Sequence, residues 1–445
     1  MIARLRESAP QLGARASGRQ PALREGALWV AFACACAATT AWFGLKGFAW
    51  SDYETEARPS FEALTHGHLL EFLRLAPAYG GSLVLRAPFA LLPHLWGGGA
   101  LAVYRMVALP ALLALMALSV WLALRMRSTG QTRLAAGVAL VLCVLNPVAI
   151  YALEYGHPED LLCAVLVIVS VACATRERPM WSGVLLGLAI ATKAWGLIAL
   201  APVLVALPSR RPRALLAAIV CATLVLAPLS LARPSDRLAG VGGPALQTGA
   251  LFQPWQVWWW LGSHSTAVHN TNGQIRPGYR AAPAWVSKIS HPLIVLLAMP
   301  LSLLWLRRRK SSRPGRGRAK DVPGSEWDAL ALLALVMLAR CLLDPWDNVY
   351  YALPFLLALT SWEALARGRP PLLGLSATMM VALTFELIPS YLSPDGQSAF
   401  FLAWTLPLAA VLAHALYFPG RALVDARKLL GQARKPLSAA LADNG

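Results

Sequence analysis

Long apolar runs separated by short polar connections organise the chain, and about 18 or more apolar residues in a row is what a helix rising 1.5 Å per residue needs to cross a bilayer. Twelve segments read this way: Gly26 to Leu45, Gly99 to Leu124, Leu134 to Leu153, Leu161 to Thr175, Met180 to Lys193, Ala194 to Leu207, Ala214 to Ala232, Ile289 to Leu306, Trp327 to Leu343, Val349 to Leu365, Pro371 to Pro389 and Ala399 to Phe418. The run Met180 to Leu207 is too long for one helix and too short for two full ones. Broken at Lys193, each half rises only about 20 Å, which leaves the turn below the bilayer surface and a lysine at the floor of a cavity. The alternative is one tilted helix with Lys193 snorkelling, and that would reverse the side of every later connection. The stretch Gly81 to Trp96 carries Arg86, Pro88, Pro93 and His94 and reads as a re-entrant or interfacial element.

With 57% hydrophobic and 14% charged residues, the expected fold class is an all-α polytopic membrane protein of about 12 helices, some short or re-entrant. A net charge of +18 raises nucleic acid as a partner, but the charges sit between apolar runs instead of on one face of a soluble domain. Connections expected to be cytoplasmic, together with the two ends, carry 28 of the 40 Lys and Arg, including eight between Arg307 and Lys320. That asymmetry follows the positive-inside rule, with both termini cytoplasmic, and accounts for the charge without nucleic acid. The expected organisation is a basic segment at 1–25, a membrane domain at 26–420 with outer loops 46–98 and 233–288 and a basic inner loop 307–325, and a cytoplasmic tail at 421–445. The tail carries Arg427, Lys428, Arg434 and Lys435 beside Leu429, Leu430 and Leu437, a pattern suited to lying on the inner leaflet. The first span is read as a helix and not a cleaved signal peptide, since the basic segment before it is long for one and many spans follow. The seven cysteines lie in or at the ends of apolar runs without CxxC spacing and read as packing residues.

This topology gathers the unusual residues on the outward face. The acids Asp52, Glu54, Glu56, Glu62 and Glu71 directly follow the first span. Carboxylates beside bilayer-buried helices are what an enzyme needs to activate a hydroxyl next to a lipid-held substrate. The turn Glu154-Tyr155-Gly156-His157-Pro158-Glu159-Asp160 joins two helices, with Pro158 in the first turn and carboxylates at the helix N-terminus. Helix capping explains Glu159 and Asp160 as readily as chemistry does, and no HxxE or HxxxH spacing makes His157 a metal ligand. The turn from Asp344 to Tyr351 combines two acids with three aromatics, for which an interfacial belt is the plain explanation. The long outer segment holds Trp255, Trp258, Trp259 and Trp260, followed by His264, His269, Arg276 and Arg280. Aromatic faces beside hydrogen-bonding rims suit sugar rings, and the cations suit a phosphate. There is no G-x-x-x-x-G-K-S/T nucleotide loop.

Three passages carry a family resemblance: Trp50-Ser51-Asp52, the helix start Gly156-His157-Pro158-Glu159, and Gly183-Val184-Leu185-Leu186-Gly187 continuing to Thr192-Lys193, with Asp344-Pro345-Trp346 and Val349-Tyr350-Tyr351 as a later match. Over roughly residues 27 to 420 the chain resembles the C-type (GT-C) membrane glycosyltransferases, and most closely the family 87 polyprenyl-phosphate-mannose-dependent mannosyltransferases. The resemblance implies transfer of a hexose, mannose foremost, from a polyprenyl phosphate to an extracytoplasmic acceptor hydroxyl with inversion, in the plasma membrane and with no nucleotide sugar required; no cofactor is expected and no residue is assigned as a metal ligand. It implies a first-loop aspartate as base, which Asp52 matches best with Glu54 next, although this loop carries three carboxylates where the family pattern has one. Lys193, Arg276 and His157 are the candidates to hold the donor phosphate, and Glu159, Trp258, His264, Asp344 and Tyr350 to contact substrate. The implied partners are the lipid-linked donor, a glycolipid or polysaccharide acceptor and membrane lipid. The rival readings are a transporter or flippase of lipid-linked saccharides, which binds in the same cavity without chemistry, and a noncatalytic envelope-assembly protein. No internal repeat of the kind transporters carry is visible between the two halves.

Overall fold

Three strongly buried helical stretches form the centre of the molecule, and a shell of lipid-length helices surrounds them. The computed structural model describes residues 24–232, 251–264, 268–269, 275–276, 279–311 and 325–418. Among these, nine helices are long and apolar enough to cross a membrane, and the remaining three of the twelve expected segments are helical but shorter. In chain order the helices are α1 (Arg24–Gly44), α2 (Arg58–Thr65), α3 (Leu69–Leu75), α4 (Gly80–Leu91), α5 (Ala100–Ser128), α6 (Arg133–Val144), α7 (Pro147–Glu154) and α8 (Pro158–Thr175). They continue with α9 (Pro179–Thr192), α10 (Leu200–Ala206), α11 (Arg211–Ala232), α12 (Ala284–Ser311), α13 (Asp328–Leu343), α14 (Leu353–Trp362), α15 (Leu372–Ala382) and α16 (Pro394–Tyr417).

The centre consists of α8, α13 and the span Val349–Arg367, which are apolar on every side over most of their length, as helices buried all round must be, with Glu159, Asp160 and Arg340 as buried exceptions. In the most apolar window of Val349–Arg367, 83% is buried, against 22% for α1, α11 and α16, whose outer faces carry exposed Leu, Val and Trp.

The segment Met180 to Leu207 does break at Lys193, and the reason lies in two glycines. Gly183 and Gly187 stand one helical turn apart on α9, where a Cβ would lie 2.2 Å from the Ala214 carbonyl and 2.5 Å from that of Ala218. Only glycine permits this backbone approach, the small-xxx-small packing of membrane helices. Because Gly183 meets Ala214 and Gly187 meets Ala218, α9 and α11 run parallel, so the residues between them must return across the bundle. Lys193 is extended (φ −149°, ψ 135°), and the 3-10 turn Ala194–Ala199 then folds back until Gly196 rests on the Ala189 carbonyl. The stretch Gly81 to Trp96 is a helix plus a 3-10 turn, Leu92–Trp96. Its start packs on the Ala191 carbonyl and its middle reaches Val107 O, so it lies across the end of the bundle that holds Lys193.

At that same end, five short strands among the described residues between Leu251 and Ala281 form small antiparallel pairings that cap the bundle. Strand β1 (Leu251–Phe252) and β2 (Ser263–His264) both pair with β5 (Arg280–Ala281), while β3 (Val268–His269) pairs with β4 (Ile275–Arg276). The cap is fastened to the end of α13 by Val257 N to Leu342 O at 2.9 Å, and to the start of α16 by Arg280, which holds Asp395 at 2.9 Å.

Candidate functional site

The turn between α7 and α8 organises the site. Gly156 has φ +89°, and a Cβ there would lie 2.4 Å from Tyr53 N, so glycine alone lets the first loop press against this turn. Asp52 N donates to Tyr155 O at 3.0 Å, which sets the Asp52 side chain over His157. His157 is buried and bridges two carboxylates: Nε2 lies 2.8 Å from Asp52 Oδ2 and Nδ1 lies 2.7 Å from Glu159 Oε1. Asp52 is the open end of this chain, with its side chain 51% exposed.

Glu159 is fully buried and answered by two further cations. Arg86 Nη2 lies 3.1 Å from Oε2, and Lys193 Nζ lies 3.4 Å from Oε1. Lys193 also stands 3.1 Å from Asp160 Oδ2 and 4.4 Å from the centre of the Tyr79 ring. Arg86 satisfies the rest of its guanidinium on Ser82 Oγ, Ser82 O and Val107 O. Ionised groups this deep in a bilayer protein persist only when paired, and each of these has an ion-pair partner. The donor atoms of His157, Glu159 and Asp160 lie within 4.8 Å of one another, a spacing a cation can use, and the Lys193 ammonium already fills that electrostatic role.

The network continues toward α13. Trp195 Nε1 donates to Asp160 Oδ1 at 2.9 Å, and Arg340 lies over the Trp195 ring at 5.4 Å and over the Tyr351 ring at 4.1 Å. Arg340 is buried, and among the described residues its guanidinium makes one long hydrogen bond, 3.4 Å to Tyr351 O, and no ion pair. Ring faces and the nearby Asp344 charge, with no direct ion pair among the described residues, hold this buried guanidinium. Beyond it, Asp344 accepts from Trp346 N and lies 3.5 Å from His291 Nε2. Asp347 is buried with Oδ1 unpartnered, and burial together with the Asp344 charge pushes its carboxyl well above the usual range.

Burial and the nearby Lys193 both act to lower the His157 pKa, but hydrogen bonds to Asp52 and Glu159 and the Glu159 charge prevail and raise it to about 9. At neutral pH the ring is therefore an imidazolium that donates to both carboxylates.

Of the residues singled out from the sequence, Asp52, His157, Glu159, Lys193 and Tyr350 come together, the Tyr350 ring lying 4.5 Å from that of His157. Asp344 makes no direct contact with them among the described residues and acts on Arg340 through its charge. Glu54 is turned away: Oε2 caps Trp50 N at 2.8 Å and Oε1 faces Arg58 at 3.6 Å. Trp258 uses its indole N–H to bind Leu343 O at 2.7 Å, anchoring the cap, and exposed His264 contacts Arg280 at 3.1 Å. Arg276 lies on β4, and its side chain falls outside the described residues. Sequence reasoning passed over Arg86, Tyr79 and Arg340 as site residues. The usable signal was that each arginine interrupts an otherwise apolar stretch, Leu83-Val84-Leu85-Arg86 in one case and Met337-Leu338-Ala339-Arg340-Cys341-Leu342 in the other.

Comparison with known proteins adds two findings. The model of the family described as Glycosyltransferase family 87 matches residues 80–322, more than half of the chain. Over 336 residues, 73% of this chain, the sequence is 27% identical to alpha-(1->6)-mannopyranosyltransferase A of Mycobacterium tuberculosis, and the match spans 58% of that relative's length.

Proposed function

The chain belongs to glycosyltransferase family 87, and on that premise we propose that it moves a hexose, mannose being the first sugar to try, from a polyprenyl phosphate to an acceptor hydroxyl on the extracytoplasmic side of the plasma membrane. The observation that carries this reading is the continuous link from half-exposed Asp52 through His157 and Glu159 to Lys193, at one end of a bundle of membrane-length helices.

In this reading Asp52 accepts the proton of the acceptor hydroxyl. The hydroxyl oxygen attacks C1 of the donor sugar from the face opposite the phosphate. The C1–O bond to phosphate breaks, its electron pair departs with the polyprenyl phosphate, and a single displacement inverts C1. His157 holds Asp52 Oδ2 by hydrogen bond, which fixes the carboxylate and leaves Oδ1 for the incoming hydroxyl. In this reading Lys193 and Arg340 are the fixed cations that meet the growing negative charge of the leaving phosphate, a role their burial beside Asp160 and Tyr351 supports. Glu159 and Arg86 keep Lys193 and His157 in place and touch no reacting atom. The relative's printed name supports mannose as the sugar and an alpha-(1->6) product as the first linkage to seek.

The test is purified protein in liposomes with polyprenyl-phosphate mannose and a mannoside acceptor, followed by mass spectrometry. Wild type is expected to form the glycoside, and Asp52→Asn to lose about 10²–10⁴-fold in rate, the usual contribution of a general base, with folding intact. An Asp52→Asn variant at full rate removes Asp52 from the mechanism. Movement of intact donor across the bilayer without transfer would replace the enzyme with a flippase.

A further inference from the structure

The network from Asp52 to Arg340 accounts for base and phosphate but leaves the acceptor without a seat. A cavity of about 530 Å³ opens between the end of α1 with the loop after it and α7. Its walls include Phe43, Lys46, Gly47, Pro147, Tyr151 and Glu154. This is the size range of small-ligand sites, in which an apolar wall is interrupted by a few polar groups. The polar groups present suit a saccharide: the exposed Glu154 carboxylate forms no ion pair among the described residues, the Tyr151 ring offers a flat face, and Lys46 lies over the Phe43 ring at 4.9 Å. The position is as informative as the chemistry. The loop that lines the cavity at Lys46, Gly47 and Ala49 runs on directly to Asp52, and the helix that lines it at Tyr151 and Glu154 runs on directly to His157.

We infer that this cavity is the acceptor subsite, seating the terminal sugar of the acceptor so that its free hydroxyl reaches Asp52 from the side away from Lys193. The inference rests on the transferase reading. It divides the two substrates between two sets of residues, donor phosphate against Lys193 and Arg340 and acceptor sugar against Glu154 and Tyr151. That division is what an in-line displacement requires, because nucleophile and leaving group must lie on opposite sides of C1.

Gly47 gives a clean way to test this. A Cβ added there meets nothing within 4 Å, so Gly47→Trp fills the cavity without disturbing a packed neighbour. In the liposome assay, Gly47→Trp and Glu154→Gln are each expected to raise the acceptor KM at least tenfold while the donor KM stays within twofold of wild type. The acceptors are an octyl mannobioside and the same disaccharide without its alkyl chain. A shift for both assigns the cavity to the sugar, and a shift confined to the octyl form means it holds the chain and overturns the assignment. Unchanged acceptor KM in both variants, or donor and acceptor constants rising together, also overturns it. A diazirine-bearing mannobiose answers the same question without turnover, so a protein that transfers nothing still tests the cavity. Labelling is expected on peptides covering residues 43–49 and 147–154, and labelling elsewhere refutes the subsite whatever becomes of the transferase reading.

Discussion

His157 is the residue on which the site's charge state turns. Its pKa of about 9 is raised above the ordinary 6.5, so the folded state favours its protonated form. The stabilisation is complete below about pH 6.5 and is lost as pH rises through about 9. Above that pH the neutral ring keeps one N–H and can donate to Asp52 or to Glu159 but not to both. Transfer is accordingly expected to be level between about pH 7 and 8 and to fall as pH passes about 9, in line with the raised value. In His157→Gln, which does not titrate, the residual rate is expected to lack that falling limb. An identical limb in His157→Gln would assign the titration to another group.

Elements put these residues in place, and the glycines of α9 show how. A Cβ on Gly183 would lie 2.2 Å from a backbone carbonyl that cannot turn aside, whereas a Cβ on Gly137 of α6 meets only the Trp29 ring, at 4.0 Å. Gly183→Ala is thus expected to destabilise by about 1–3 kcal/mol, the usual cost of overpacking. Gly137→Ala is expected to be neutral or stabilising by about 0.5–1 kcal/mol through lower chain entropy. Thermal unfolding of the two variants in detergent checks the contrast, and a Gly183→Ala protein as stable as Gly137→Ala would mean that α9 and α11 are not in backbone contact. The broken helix at Lys193 was legible in the sequence because it follows from length: a largely apolar run of 28 residues fits neither one span nor two. Arg86 was not legible as part of the site. Its partner Glu159 is 73 residues away, and without that partner an arginine in an apolar run reads as a snorkelling side chain. The same holds for Trp258, whose place in an aromatic cluster suited sugar stacking until its N–H was found on Leu343 O. Composition reveals which side chains can do chemistry, but long-range packing decides which of them are already engaged.

At the scale of the whole molecule, the two ends of the bundle differ in kind. One end holds Asp52, His157, Lys193 and the Arg280–Asp395 clasp of the cap, with cations and acids paired into a site. The other holds Arg127 and Arg133 against Glu25, Arg176 between the Trp121 and Trp327 rings, and Arg367 over Trp362. Arginines on interfacial tryptophans, with few acids to neutralise them, are what the cytoplasmic surface of a membrane protein collects. The charge rule is the ground for proposing that the Asp52 end faces outward, and a labelling experiment tests that orientation. With the seven native cysteines replaced, Trp50→Cys and Thr129→Cys place one thiol at each end, both at exposed positions outside the spans. A charged, membrane-impermeant maleimide added to intact spheroplasts is expected to label Trp50→Cys fully and Thr129→Cys only after permeabilisation. The reverse pattern would put Asp52 in the cytoplasm, where the donor would have to come from the inner leaflet and the acceptor from inside the cell. The geometry of base and phosphate cations would survive that result, because Asp52 and Lys193 lie at the same end in either orientation, but the extracytoplasmic assignment would not.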